Sequence, residues 1–397
     1  MQICDHQLCT GCGMCTNICP HKAVRMSEDS RGFIYPQIDE SICTSCNLCK
    51  KTCPVNDLKI RTSTNVRSVY AAWNKNKTIR QKSSSGGVFS AAAEYILKTD
   101  GYVVGVKWGE NYEAVHFAIN KQSDLYLLSG SKYVQSDTNQ IYEETRRLLI
   151  EGNTVLFSGT PCQNHALRRY LNKDFENLYQ IDLVCHGVPS YQIFKKFLKE
   201  LGGNKKIQNI FFRTKKPYWD YSYVTIEYAD GGNYETLTIK DPYFCLFNAS
   251  FILRESCHIC QYASAYRYGD ITLADFWGYY PNNLKMRDYN RGVSLIICNS
   301  HKGERLFEQI APYLKYEKST FDVAKKDNKC LSMPFNLPKD VLDNFWMDYD
   351  NGMCIHELYK KYIKKTANLP KYLRLIRIYG QFRWLIQKCK YAFSHQR

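Results

Sequence analysis

The sequence lacks a long apolar run. Its apolar stretches, such as residues 103–106 and 295–298, are far shorter than the roughly 18 residues that a membrane-spanning helix needs. Residues 1–6 contain neither a basic nor an apolar segment, so no secretory signal is visible and we expect a cytoplasmic protein. Hydrophobic residues make up 44% and charged residues 23% of the 397 residues, which excludes a disordered or fibrous chain.

Acidic residues are scarce relative to basic ones, with 38 Asp and Glu against 54 Lys and Arg and a formal net charge of +16. Much of this excess lies in residues 356–397, where eleven basic residues face one acid, Glu357. A [4Fe–4S] cluster on four thiolates carries a charge of about −2, so bound clusters would neutralise much of the remaining excess. The basic composition is therefore no signature of nucleic-acid binding, and we expect no nucleic-acid partner.

The C-terminal segment, residues 321–397, is predicted to be a helical basic tail. Its apolar and basic residues separate only imperfectly onto two faces of a helix. Three roles stay open for it: a helix packed on the parent domain, a peripheral membrane contact on anionic lipid, or docking onto an acidic redox partner.

Cysteine, in contrast, is abundant, with 18 residues, of which nine fall in the first 53. Disulfide frameworks are typical of short secreted chains, so this clustering in a cytosolic chain indicates metal binding. The motif Cys-x2-Cys-x2-Cys-x3-Cys-Pro occurs twice, with an offset of 34 residues. Its cysteines are Cys9, Cys12, Cys15 and Cys19 in the first copy and Cys43, Cys46, Cys49 and Cys53 in the second.

This spacing is typical of ferredoxins with two [4Fe–4S] clusters, in which the fourth cysteine of each copy binds the other cluster. Crossed ligation predicts one cluster on Cys9, Cys12, Cys15 and Cys53 and a second on Cys43, Cys46, Cys49 and Cys19. Paired zinc sites are the alternative, but zinc usually takes two separated pairs of ligands. Cys4 is expected to be a plain thiol rather than a ligand.

The predicted fold class is an α+β ferredoxin-like dicluster head at residues 1–57, a linker at 58–68, and then an α/β domain. In that domain helices separate the strands, which favours a partly parallel sheet. Asp230-Gly231-Gly232 predicts a hairpin between two further strands. We expect this hairpin to make the sheet mixed.

A glycine loop opens the first long helix of this domain. Residues 83–87, Ser-Ser-Ser-Gly-Gly, precede a helix predicted over residues 88–98. Amides and the helix dipole at such a start suit a pyrophosphate, although most such starts are ordinary helix caps. Residues 130–133, Gly-Ser-Lys-Tyr, form a second turn, in which Lys132 is by default a solvated surface lysine.

Several short motifs follow one another in the order found in a known family. They are SSSGGVFS at 83–90, GSKYVQS at 130–136, LFSGTPCQ at 156–163, DLVCHGVPS at 182–190, RESCHIC at 254–260 and DITLADFWG at 270–278. With the cysteine repeat, they make the chain resemble the coenzyme F420 hydrogenase/dehydrogenase beta subunits, in the branch fused to an N-terminal two-cluster ferredoxin. The resemblance implies an N-terminal flavin-binding region at 69–150 and a C-terminal region at 151–320.

The resemblance also implies FAD, iron–sulfur clusters and redox chemistry. Under this interpretation FAD binds at the glycine loop, with the second turn close to its phosphates or ring. The expected FAD-binding residues are Ser84, Ser85, Gly86, Gly87, Lys132 and Tyr133.

A third set of cysteines lies in the predicted α/β domain. Cys162 and Cys185 each follow a predicted strand, and neighbouring parallel strands bring such ends to one edge of a sheet. Cys257 and Cys260 supply a chelating pair, so four thiols could converge. The resemblance implies a third [4Fe–4S] cluster next to the flavin, and zinc or unligated buried thiols are the alternatives. Isolated core or surface thiols are expected at Cys245, Cys298, Cys330, Cys354 and Cys389.

Two polar residues near these cysteines are candidate catalytic residues. His186 beside Cys185 could be a ligand, a proton relay or a satisfied polar residue, and the last fits the sequence best. Asp275, like Asp270, flanks a predicted strand and could face the flavin ring or transfer a proton.

The chain is thus predicted to be a cytoplasmic oxidoreductase that depends on FAD and [4Fe–4S] clusters. Flavin suits this role because it passes electrons one or two at a time. The outside carrier is undecided between ferredoxin, coenzyme F420 and NAD(P)H, and the substrate is unidentified, with surface-polysaccharide metabolism implied for similar fused members. The alternative is an electron-transfer subunit without a substrate of its own, docked on a partner enzyme.

Overall fold

The computed structural model describes residues 2–57, 64–216, 218–219 and 222–363. Most of the predicted linker, and residues 364–397 of the predicted basic tail with Cys389, lie outside these residues. In the part of the chain that is described, no helix combines the length and the apolar character needed to cross a bilayer.

The head is built twice on one local pattern. It consists of α1 (Met14–Ile18), β1 (Val24–Glu28), β2 (Ile34–Ile38) and α2 (Leu48–Thr52). The two strands form an antiparallel hairpin. Before each helix stands a residue in the left-handed conformation, Gly13 with φ 72° and Asn47 with φ 59°. These sharp turns let three closely spaced cysteines of each motif face one point.

The strands that follow the head belong to two sheets. In chain order they are β3 (Ser68–Asn74), β4 (Tyr102–Trp108), β5 (Ala114–Ile119), β6 (Ser136–Asp137), β7 (Val155–Gly159), β8 (Leu178–Leu183), β9 (Ile207–Lys215), β10 (Ser222–Tyr228), β11 (Asn233–Leu237), β12 (Ile271–Asp275), β13 (Ser294–Cys298) and β14 (Leu314–Ser319). The large sheet has the order β14-β3-β13-β12-β8-β7-β4-β5-β6.

The centre of the large sheet is parallel, its flanks join by antiparallel pairing, and the edge strand β6 pairs in parallel with β5. β12, β8, β7 and β4 pair in parallel, whereas β13, β3, β14 and β5 join by antiparallel pairing. The prediction of a mixed sheet is confirmed, but the predicted reason is wrong. The hairpin of β10 and β11 lies with β9 in a separate three-stranded sheet, because its pairing partner is β9 and no strand of the large sheet.

Helices cover both faces of the large sheet. The helices after the head are α3 (Lys77–Lys82), α4 (Val88–Lys98), α5 (Leu125–Leu128), α6 (Ile141–Ile150), α7 (Pro161–Leu171), α8 (Tyr191–Gly202), α9 (Pro242–Asn248), α10 (Glu255–His258), α11 (His301–Ile310), α12 (Phe321–Asp327), α13 (Lys339–Asp350) and α14 (Ile355–Tyr362). Short 3-10 turns lie at Gln122–Asp124, Leu284–Met286, Tyr289–Arg291, Ala311–Tyr313 and Lys329–Leu331. One apolar core joins α4 and α11 to the sheet, and another joins α6 and α7 to it.

The described part of the predicted tail belongs to the body. α13 and α14 pack into the aromatic core that the small sheet shares with α8 and α9. Phe345, Trp346, Ile355 and Leu358 are all buried there. The helices predicted for the tail are present up to residue 363, and in these described residues they pack on the parent domain, which is the first of the three roles left open.

Candidate functional site

Five cysteines line one small cavity in the head. They are Cys4, Cys9, Cys12, Cys15 and Cys53. Burial raises the pKa of Cys15, and the neighbouring thiols of Cys12, Cys9 and Cys53 raise it further. Cys53 of the second motif thus stands with the first three cysteines of the first motif, which fits crossed ligation.

The second set of thiols lies towards the outside. Burial raises the pKa of Cys49, and the thiols of Cys19 and Cys46 raise it further. Cys19 therefore faces the second motif, while Cys46 is exposed and Cys43 is half-buried. A cluster held here would have one corner at the surface of the molecule.

The third set of cysteines lies at the edge of the large sheet where β7 and β8 end. β7 and β8 are parallel neighbours, so Cys162 at the start of α7 and Cys185 after β8 lie at the same edge. Residues 252–254 run beside residues 188–190 and bring α10, with Cys257, to this edge. Burial raises the pKa of Cys185, and the thiols of Cys257, Cys162 and Cys260 raise it further.

No three His, Cys, Asp or Glu side chains within the described residues converge closely enough to hold a single metal ion. A cuboidal cluster takes one thiolate at each iron corner, so its ligands stand farther apart than those of one zinc ion.

Cys330 is a buried core thiol, as predicted, but it lies near the third set of cysteines. This buried thiol, in the 3-10 turn Lys329–Leu331, interacts electrostatically with both Cys185 and Cys260. It lies in a different element from all four predicted ligands, so no spacing rule could have found it.

The first and third cysteine sets are neighbours. Burial raises the pKa of Cys12, and among nearby thiols Cys162 contributes most. Burial likewise raises the pKa of Cys162, to about 11, while the hydrogen bond with the Thr160 hydroxyl at 3.1 Å lowers it. Tyr142 lies beside this contact between the two cysteine sets, and its hydroxyl donates to the carbonyl of Cys12 at 2.7 Å.

Arg254 joins the head to the third set and was not singled out from the sequence. Its fully buried guanidinium donates to the carbonyls of Cys9 at 2.6 Å and of Ile34 at 2.9 Å. The same residue caps the N-terminus of α10, which carries Cys257. Arg254 is the first residue of the RESCHIC motif, and this position is the feature of the sequence that could have identified it.

The structure brings the glycine loop and the second turn together. The amide of Ser131 donates to the Ser84 hydroxyl at 2.9 Å. Ser85 donates its hydroxyl to the carbonyl of Val293 at 2.9 Å, which ties the loop to the large sheet. Gly86 packs on that sheet, where a Cβ would lie 2.5 Å from the Ala72 carbonyl oxygen. Gly87 caps α4 with φ 81°.

Lys132 is neither a solvated surface lysine nor pointed at the glycine loop. Its Nζ donates to the carbonyls of Leu127, Ser129 and Gly130 at 3.1–3.3 Å. Burial lowers its pKa to about 8. The three carbonyls at the end of α5 therefore account for its position.

A buried ion pair lies beside the second turn. Arg213 of β9 donates to Asp275, at the end of β12, at 2.9 Å, and to the Tyr133 hydroxyl at 3.3 Å. Arg213 Nη2 and Asp275 Oδ1 are buried without a hydrogen-bond partner among the described residues. These two atoms belong to the two partners of one ion pair and are free to bind a polar group. Arg213 sits in an ordinary alternating strand, so no pattern in the sequence pointed to it.

Lys215, two residues further along β9, ties this ion pair to the glycine loop. Its Nζ donates to the carbonyl of Ser85, and to that of Arg80 at 2.7 Å. Trp277 lies at the mouth of the same region with 38% of its surface exposed, stacked on Trp219 at 4.7 Å.

His186 is a satisfied polar residue. Its Nε2 lies 3.1 Å from the carbonyl oxygen of Phe247 and 3.1 Å from the Ser250 hydroxyl. Burial lowers its pKa to about 4, so the ring is neutral near pH 7 and Nε2 donates to the carbonyl. Asp275 remains the candidate for contact with a bound group.

Comparison with known proteins gives matches over most of the chain. Residues 69–142 and 152–322 match the N-terminal and C-terminal models of the coenzyme F420 hydrogenase/dehydrogenase beta subunit, and residues 8–56 match a 4Fe-4S dicluster domain. A component of the F(420)H(2) dehydrogenase of Methanosarcina mazei is 24% identical over 295 residues, covering 70% of this chain and 79% of that protein. A chain of the F420-reducing [NiFe] hydrogenase complex from Methanosarcina barkeri aligns at 15% identity and a TM-score of 0.45, over 75% of this chain and 91% of that chain.

Proposed function

Because the chain belongs to the family of coenzyme F420 hydrogenase/dehydrogenase beta subunits, with an N-terminal 4Fe-4S dicluster domain, we propose that it is an FAD-dependent oxidoreductase with three [4Fe–4S] clusters. Its iron–sulfur electron-transfer role follows from the family, whereas the FAD, the third cluster and the carrier are proposed here. The observation that carries the proposal is the proximity of Cys12 to Cys162.

That proximity makes one continuous series of cysteine sets. The series begins at exposed Cys46, continues through the cavity of the first set, and ends at the sheet edge with Cys185. Clusters held in such a series exchange single electrons over short steps. The fixed docking of the head by Arg254 keeps the first and third sets together without a domain motion.

FAD would be held in the body at the glycine loop. When bound, it supplies the conversion between one-electron and two-electron transfer. Ser84, Ser85 and the start of α4 would face its phosphates, because the amides of a helix start favour an anion. The unpaired atoms of Arg213 and Asp275 fit the polar edge of a flavin ring, and Lys215 holds the loop in place.

Three electron carriers are candidates to exchange electrons with the protein. The relative from M. mazei carries reduced coenzyme F420 in its name, so we take this deazaflavin as the first carrier to test. Ferredoxin and NAD(P)H are the other carriers, and a ferredoxin would meet the cluster beside exposed Cys46.

The test is anaerobic mixing of the purified protein with each reduced carrier in turn. Flavin and cluster absorbance are followed separately. We expect reduced F420 to bleach the flavin first and the clusters afterwards, and reduced ferredoxin to bleach them in the opposite order. A protein that contains clusters but no flavin would contradict the FAD proposal. It would favour the alternative, an electron-transfer protein without its own substrate that serves a partner enzyme.

A further inference from the structure

The ion pair of Arg213 and Asp275 has one hydrogen-bond donor and one acceptor to spare. Arg213 Nη2 and Asp275 Oδ1 are buried and make no hydrogen bond to any residue that the structure describes. The other atoms of the two groups are engaged, since Arg213 Nη1 donates to Asp275 Oδ2 at 2.9 Å and Nε donates to the Ser222 hydroxyl at 3.0 Å. Only 7% of the Arg213 side chain and 14% of the Asp275 side chain is exposed. Leaving charged groups unsatisfied in such a setting costs free energy, so we expect a bound group to complete them.

The pair lies close to the glycine loop. In the large sheet Asp275 is paired with Ser294 of β13, and the Ser294 hydroxyl accepts from the Gly86 amide at 2.9 Å. A second connection runs through β9, where Lys215 donates to the carbonyl of Ser85. The loop is thus about two strand spacings from the pair, or roughly 10 Å. The ribityl chain of a flavin separates its ring from its phosphate by a similar length.

The chemistry of the pair selects the edge of the ring that it can bind. A guanidinium only donates hydrogen bonds, and an ionised carboxylate only accepts them. The pair therefore fits a group that accepts at one atom and donates at the next, as the imide of the flavin pyrimidine ring does with its C=O and N–H. A phosphate or a carboxylate has acceptors alone and would leave Asp275 Oδ1 without a donor.

We propose that Arg213 and Asp275 bind the imide edge of the flavin ring, with Nη2 donating to a ring carbonyl and Oδ1 accepting from the ring N–H. This inference rests on the proposed function, because it needs FAD in the body. The orientation of the ring follows from it, since the pyrimidine edge then lies between β9 and the end of β12. A flavin methylated at the imide nitrogen cannot donate to Asp275 and carries a methyl group into a buried site.

The test is a binding titration of the full-length protein after its flavin has been released, under anaerobic conditions. The protein is titrated with FAD, with FAD methylated at the imide nitrogen, and with deaza-FAD, and the affinity of each is measured by flavin fluorescence. Deaza-FAD keeps the imide edge and should bind as FAD does. The methylated flavin should bind about tenfold or more weakly, because a hydrogen bond to a charged group is lost.

Asp275→Ala separates recognition of the imide from a general loss of structure. Without Oδ1 neither flavin finds an acceptor, so FAD and the methylated flavin should bind with similar, weaker affinity. Asp288→Ala is the matched control, because Asp288 also pairs with a buried arginine, Arg80, at 3.0 Å. This variant should keep the preference for FAD over the methylated flavin.

Equal affinity of the wild-type protein for FAD and the methylated flavin would overturn the proposal, and this measurement needs no variant to fold. A deazaflavin carrier has the same imide edge, so binding of coenzyme F420 to the flavin-loaded protein is measured as well. Equal affinity for the two flavins, together with weaker F420 binding in Asp275→Ala, would assign the pair to the carrier instead. A wild-type protein that binds no FAD at all would contradict the proposed function itself, so the two failures are distinguishable.

Discussion

The guanidinium of Arg254 shows how one side chain can join two redox sites. It is fully buried, donates to two carbonyls of the head, and lies 3.9 Å from the centre of the Tyr35 ring. Its positive charge also contributes to lowering the pKa of Cys9, after the larger effect of the Cys4 hydrogen bond. The planar guanidinium donates from two separate nitrogens, Nε to Cys9 and Nη1 to Ile34, whereas the ammonium group of a lysine donates from a single nitrogen.

We therefore expect Arg254→Lys to weaken the attachment of the head to the body. We expect a loss of about 2 kcal/mol in the free energy of unfolding, because a charged hydrogen bond is removed in a buried setting. Denaturant titration under anaerobic conditions measures it. Arg305→Lys is the matched control, since Arg305 pairs with exposed Glu176 on the surface and should change little. Equal effects for the two variants would contradict the docking role.

Crossed ligation can be tested by combining cysteine variants, all in a Cys4→Ala background so that no spare thiol replaces a ligand. If Cys12 and Cys53 bind one cluster, the additional Cys12→Ala and Cys53→Ala changes together remove about four iron atoms. Cys46→Ala with Cys53→Ala should then remove about eight, because two clusters are lost. The reverse pattern in iron analysis would show uncrossed ligation.

The buried pair of Arg213 and Asp275 predicts a stability effect and a cofactor effect from one substitution. Asp275→Asn keeps the shape but leaves Arg213 charged and unpaired, which should cost about 3 kcal/mol in the free energy of unfolding. It should also lower the flavin content of the purified protein. Glu151→Gln, which removes the exposed pair with Arg147, should alter neither quantity. A flavin content equal to wild type would remove Asp275 from the flavin site.

At the scale of elements, the ends of strands were predictable and their partners were not. The helix Val88–Lys98 has the predicted bounds, because the glycines before and after it mark its ends locally. The meeting of Cys162 with Cys185 followed from the rule for parallel neighbours. The hairpin strands pair with β9 rather than with the large sheet, and this pairing depends on side chains far away in sequence. The position of Cys330 beside the third set also depends on residues far away in sequence.

The glycine loop is an element whose flavin role and packing role can be separated. Gly86→Ala should unseat the loop, because its Cβ would lie 2.5 Å from the Ala72 carbonyl oxygen and 2.8 Å from the Ser294 amide. We expect lower flavin content together with a lower unfolding midpoint. Ser84→Ala removes only the hydroxyl that accepts from Ser131, so it should reduce flavin affinity with little change in the midpoint. Flavin affinity unchanged by Ser84→Ala would place the phosphates elsewhere.

At the scale of the whole molecule, the head and the body form one packed unit around the junction of Cys12 and Cys162. Met14 of the head is buried in the core of α6 and α7. Asn17 donates to the carbonyl of Asn139 at 2.6 Å and accepts from the Tyr142 amide at 3.2 Å. The head is thereby held against the body, and its two predicted cluster sites differ in depth.

The central claim is that the first head cluster lies next to a third cluster held by Cys162, Cys185, Cys257 and Cys260. Electron paramagnetic resonance of the fully reduced protein tests it directly, because neighbouring paramagnetic clusters interact. We predict that the interaction persists in Cys46→Ala, which lacks the outer cluster, and is lost when Cys257→Ala and Cys260→Ala are added to Cys46→Ala. Isolated, non-interacting signals in Cys46→Ala, or an interaction that remains in the combined variant, would contradict the account.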